Sequence, residues 1–119
     1  MGHTFEERMA GAVHVHAREK TPLLPNQLVS LDGNAGQAYR VLATNTDNSQ
    51  IARVNVFSFK PHPPVPVFLS SLILPSTVQD VIFRMPDTGS VIVKNTTQGE
   101  DASATLGPEI MVEFVAVDI

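Results

Sequence analysis

The chain has no cysteine, no tryptophan and a single tyrosine. The first absence excludes disulfides, thiolate metal sites and a cysteine nucleophile, and it fits a cytosolic origin. The shortage of large aromatics counts against a stacking platform for sugars or bases. Cations are scarce as well: 8 Lys and Arg stand against 12 Asp and Glu, a net charge of -4. That balance argues against a protein held to nucleic acid by its phosphates. No apolar run approaches the ~18 residues of a membrane span. The opening residues, Met1 to Glu7, are acidic and lack an apolar stretch, so no secretory signal is expected.

Small β elements and turns are abundant. A chain of 119 residues suffices for one domain, or one domain plus an arm. Area scaling gives roughly 6,300 Å² folded against roughly 18,700 Å² unfolded, enough burial for a core without covalent staples. The central stretch runs from Gln50 to Leu74. Residues 50–59 are rich in β-branched and aromatic side chains, as in a strand. Four prolines then fall within the seven residues 60–66. Proline fixes φ and has no N–H, so this piece is expected to run extended, bridging about 20 Å from one sheet of a sandwich to the other. Residues 67–74 resume as a strand.

Around this centre, strands are expected over 26–31, 37–44, 77–85, 90–95 and 109–119, with a weak strand or turn at 102–106. Turn chemistry separates them: Asp32-Gly33-Asn34, the polar run 45–49, and Pro86-Asp87-Thr88-Gly89. The last strand is apolar on both parities, Ile110, Val112, Phe114 and Ala116 on one, Met111, Val115, Val117 and Ile119 on the other. A strand apolar on both faces is expected to be covered on both, here by its own core and by another subunit.

Residues 1–22 differ in character. Thr4-Phe5-Glu6-Glu7 fits a capping box, and Phe5, Met9, Val13 and His16 recur at helical spacing, predicting a short helix over 5–18. The rival reading is a strand through 13–16, since Gly11 weakens a helix. Pro22 and Pro25 are taken as a boundary where pairing stops. The organisation expected is therefore an N-terminal arm, 1–22, and a β domain, 23–119. The arm is expected to be dispensable for folding and needed for assembly.

Few residues carry chemistry. His14-Val15-His16 with Glu19 is similar to the metal motif of cupins, but the glutamate comes too soon. On a strand the two histidines would share a face and could take a metal; on a helix they would diverge by about 200°. His62 lies among prolines and reads as a surface contact. Ser70 and Ser71 lack a nucleophile elbow. Asp80, Asp87, Glu100 and Asp101 read as solvated acids. Asp32 to Gly36 has no Lys-Ser/Thr after it and is not a phosphate loop. Asn95-Thr96-Thr97 fits the glycosylation tripeptide, which is frequent by chance.

Thr21-Pro22-Leu23-Leu24-Pro25-Asn26-Gln27-Leu28-Val29-Ser30-Leu31-Asp32-Gly33, with Gln37 to Ala43 after it, resembles the opening of small head-decoration (cement) proteins of tailed phages. This chain has Asn26 where glycine is usual. The resemblance implies a non-enzymatic virion protein, assembled in the host cytoplasm. It further implies contacts with copies of itself and with the major capsid protein or another virion protein. The fold expected is an all-β antiparallel sandwich, jelly-roll-like, or a small barrel. The alternatives are a small cupin-like metal-dependent enzyme using His14 and His16, and a β-sandwich adaptor module. No cofactor, nucleic acid or membrane is expected.

Overall fold

The computed structural model describes residues 13–16, 19–58, 65–99 and 105–118. Nine strands lie among them: β1 (Val13–Val15), β2 (Lys20–Leu23), β3 (Leu28–Asp32), β4 (Ala38–Asn45), β5 (Ala52–Ser58), β6 (Val65–Ile73), β7 (Val78–Arg84), β8 (Ser90–Asn95) and β9 (Ile110–Ala116). One sheet has the order β1-β3-β8-β5-β6 and the other β2-β9-β4-β7. All pairings are antiparallel except that of β1 with β3. Set β1 aside and two four-stranded sheets remain, in which every connection but β5–β6 passes from one sheet to the other. That is the jelly-roll order of a β-sandwich. No helix occurs among the described residues.

The alternation of the strands builds the core. Val29 and Leu31 of β3, Val41 and Ala43 of β4, Val54 and Val56 of β5, and Val91 and Val93 of β8 are buried between the sheets with Ile110, Val112 and Phe114 of β9. Phe114 stacks on Tyr39 with ring centroids 4.5 Å apart, and Phe83 lies 6.3 Å from both rings. The folded surface, 6586 Å², is close to the area expected for a single compact chain of this size.

Local chemistry sets the turns. Gly89 adopts φ 74°, and its N–H closes the turn on the Pro86 carbonyl at 2.9 Å. At Gly33 a Cβ would meet the Tyr39 ring at 2.6 Å. The glycine lets that ring approach, and the Tyr39 hydroxyl accepts the Asn34 N–H at 2.8 Å. Asn26 has φ 69°, a left-handed conformation in which asparagine is the commonest substitute for glycine.

Three expectations change. The proline-rich stretch does not carry the chain between sheets: β5 and β6 are antiparallel neighbours in one sheet, Ala52 opposite Ile73. The reason is that β6 is an outermost strand, where Pro66 is tolerated opposite Phe57. Residues 59–64 lie outside the described ones. The crossings between sheets are instead made by short turns such as 74–77 and 85–89.

The boundary at residue 22 falls inside β2. Lys20–Leu23 pairs with β9, with Pro22 opposite Met111, again on an outermost strand. Val13–Val15 is the strand of the rival reading, Val15 buried in the core. So Val13–Val15 belongs to one sheet and Lys20–Leu23 to the other, and the helical reading fails over 13–15; residues 1–12, 17 and 18 lie outside the described ones. Finally, of the weak strand or turn expected over 102–106, residues 102–104 lie outside the described ones, and residues 105 and 106 are not in a strand.

Candidate functional site: an open sheet face

The residues singled out for chemistry are dispersed. His14 is the middle of β1, in register with Ser30, while His16 and Glu19 are exposed just beyond it. Among the described residues no three His, Cys, Asp or Glu side chains gather as a metal site. Ser70 donates its hydroxyl to Asn55 Oδ1 at 2.9 Å, and Ser71 donates its own to the Leu72 carbonyl at 3.2 Å. Asp87 sits in the turn before β8. His62, Glu100 and Asp101 lie outside the described residues.

Asn95 of the glycosylation tripeptide is fully buried. Its Nδ2 donates to the Leu23 and Pro108 carbonyls, each at 3.0 Å. Its Oδ1 accepts the Thr97 N–H at 3.1 Å. It is a structural clamp between sheets, inaccessible to a glycan-transferring enzyme in the folded chain.

The outer faces of the two sheets differ. On the β3-β8-β5-β6 sheet the outward side chains along β8 and the facing part of β5 are buried, while Arg53, Ser70 and Leu72 toward the β6 edge are exposed. Ile92 is 0 %, Asn55 and Lys94 7 % and Phe57 8 % exposed. Ile92 and Phe57 are cross-strand partners, and neither belongs to the cluster between the sheets. Polar groups on this face are bonded: Ser30 and Ser90 both donate to Asp32 Oδ1 at 2.9 Å.

The outer face of the β2-β9-β4-β7 sheet is open. Its side chains, read by register, are Lys20 and Pro22 on β2, Met111, Glu113 and Val115 on β9, Arg40, Leu42 and Thr44 on β4, and Val78, Asp80, Ile82 and Arg84 on β7. None of these is buried, and Val78 and Ile82 are more than half exposed. Leu42 lies opposite Glu113 on one side and Asp80 on the other. Arg40 Nε donates to Asp80 Oδ2 at 2.9 Å, and Nη2 donates to the same oxygen. Exposed pairs of this kind contribute about 0–1 kcal/mol, so this one shapes the face more than it stabilises the fold. The face thus interleaves apolar side chains on all four strands with charged ones, including Glu113 and Arg40 on the two inner strands.

β9 explains how such a face arises. Its inward parity, Ile110, Val112 and Phe114, completes the core, and its outward parity, Met111 and Val115, carries apolar groups onto the open face. The double apolar parity signalled this face in the sequence. The Arg40–Asp80 pair was not legible, because it joins residues forty positions apart. No protein-family model, curated protein or solved structure matches this chain.

Proposed function

We propose that this chain is a non-enzymatic structural subunit of a virion, a decoration or cement protein that stabilises a capsid shell through protein contacts. One observation carries the reading: the open outer face of the β2-β9-β4-β7 sheet, on which no outward side chain is buried and Val78 and Ile82 are more than half exposed. The resemblance of residues 21–43 to phage head-decoration proteins supplies the setting. The jelly-roll order agrees with it, being common in capsid proteins, though it also hosts cupins and lectins. Partners on this reading are copies of the chain and the major capsid protein or another virion protein. Nucleic acid, membrane and cofactors play no part, and the protein resides in the virion after assembly in the host cytoplasm.

Mass spectrometry of gradient-purified particles from the encoding phage tests the reading. The chain should be present in a fixed ratio to the major capsid protein. Absence from particles would defeat it. One tightly bound metal per purified chain, lost in a His14→Ala/His16→Ala variant, would favour the cupin-like enzyme instead.

A further inference from the structure

Among the described residues, four strands form the outer edges of the two sheets: β1 and β6 of one, β2 and β7 of the other. Three are poor templates for pairing with another chain. β1 has 3 residues, β2 contains Pro22 and β6 contains Pro66. Short strands and prolines are the usual means of blocking an edge. β7 has neither device: it runs 7 residues, Val78–Arg84, without proline.

The hydrogen bonding of β7 shows which groups its edge offers. Met85 N donates to the Gln37 carbonyl at 2.8 Å, and Asn45 N donates to the Thr77 carbonyl at 2.9 Å. Both bonds continue the register in which Tyr39 faces Phe83 and Val41 faces Val81. Odd-numbered residues of β7 therefore turn their N–H and C=O groups toward β4. By alternation, the backbone groups of Val78, Asp80, Ile82 and Arg84 point away from it, toward the outer edge. The side chains of the same four residues lie on the open face.

We propose that two copies of this chain pair through β7, antiparallel about a two-fold axis at Ile82, joining the two β2-β9-β4-β7 sheets into one continuous eight-stranded sheet. In this register Ile82 faces its own counterpart, and Asp80 faces Arg84 of the second copy, twice by symmetry. The outward amides allow two other close registers, shifted by two residues either way, one setting Asp80 against Ile82 and Arg84 against Val78, the other setting Ile82 against Arg84. Charge complementarity selects the first, the one register that sets opposite charges directly across the strand pair, where Asp80 meets a second cation beside its own Arg40. An interface that pairs a patch with itself closes at two copies, so the assembly ends at a dimer rather than a filament. The dimer stands independently of the virion setting proposed above.

The absence of cysteine makes a register-specific test available. In a hydrogen-bonded antiparallel pair the facing Cα atoms are about 5.5 Å apart, within disulfide range. An Ile82→Cys variant should therefore form a disulfide-linked dimer under mild oxidation. A Val78→Cys variant, four residues from the axis on the same edge, should not, because its counterpart lies roughly 27 Å away at ~3.4 Å per residue. Sedimentation of the unmodified protein should give twice the 12.9 kDa chain mass. An Arg84→Glu variant, which sets like charges against Asp80, should sediment as monomer at the same concentration. Ile82 and Arg84 are exposed, so these variants keep the fold, which thermal melting verifies. A monomeric wild type, or a dimer in which cysteine at 82 fails to cross-link, overturns the proposal. Either result leaves the particle measurement of the preceding section unaffected.

Discussion

Asn95, at the end of β8, holds the carbonyl of Leu23 on β2 with its Nδ2 at 3.0 Å, and so ties one sheet to the other. Asn45, at the end of β4, does the same in the opposite sense, donating to the Ile73 carbonyl of β6 at 3.0 Å. Both side chains are fully buried, and both Oδ1 atoms accept the N–H two residues on, from Asp47 and Thr97. Each asparagine thus ends its strand, starts the turn and closes the sandwich.

Replacing Asn95 by alanine strands the Leu23 carbonyl in the interior and removes its bond to Pro108. Leaving buried polar groups unsatisfied costs about 1–3 kcal/mol. The Asn95→Ala variant should lose at least that much in a denaturant melt. An unchanged midpoint would show that the clamp is not structural.

The aromatic trio sets the next expectation. Phe83 is 6 % exposed and packs with Tyr39 and Phe114. Phe83→Ala and Phe114→Ala should each cost about 3–5 kcal/mol. Against a typical total of ~5–15 kcal/mol, that leaves a marginal protein. Wild-type-like melting of either variant would contradict the assignment of this core.

Deleting residues 1–23 should damage the fold. The deletion removes β1 and β2, and with them Val15 and Leu23 from the core. Two such side chains contribute about 3–6 kcal/mol at ~1.5–3 each. The truncated chain should melt well below the full chain or fail to remain soluble. Unchanged melting would restore the view of the whole segment as a detachable arm.

Asp47 offers a pH test. Its carboxylate accepts the Ser49 N–H at 2.6 Å, the Ser49 hydroxyl at 2.9 Å and the Gln50 N–H at 3.0 Å. The backbone bond from Ser49 is the largest cause holding its pKa below the ordinary 3.8. A depressed folded value means that the contribution is complete above the unfolded pKa and disappears as pH falls through the folded one. The Tm difference between wild type and Asp47→Ala should therefore be constant from neutral pH down to about 4 and shrink below it. A difference that grows on acidification would reverse the sign of this account.

The fold was legible where alternation and turn chemistry coincide. The strand over 90–95 matches β8 end for end, and Pro86 to Gly89 forms its turn. It was hidden where proline was read as a stop. Pro22 and Pro66 both lie in strands, because an outermost strand needs donors on only one side. The pairing of β5 with β6 was missed for the same reason. Val13–Val15 was ambiguous because three residues cannot separate a period of 2 from one of 3.6. For the open face, β9 was readable from its two apolar parities. The placing of Leu42 beside it, and of Ile82 one strand further on, depends on strand order, which no local pattern encodes.

Binding of surface variants to the shell tests the central claim most directly. Val115→Lys and Met111→Lys place a cation in the middle of the open face without entering the core, while Leu106→Lys, at a position 83 % exposed and outside that sheet, serves as control. Each protein is mixed with shells lacking it and followed through a density gradient, with melting measured in parallel. The account predicts that wild type and the Leu106 variant co-sediment with shells, and that the two face variants melt normally but stay at the top of the gradient. Face variants that co-sediment as well as wild type would contradict it.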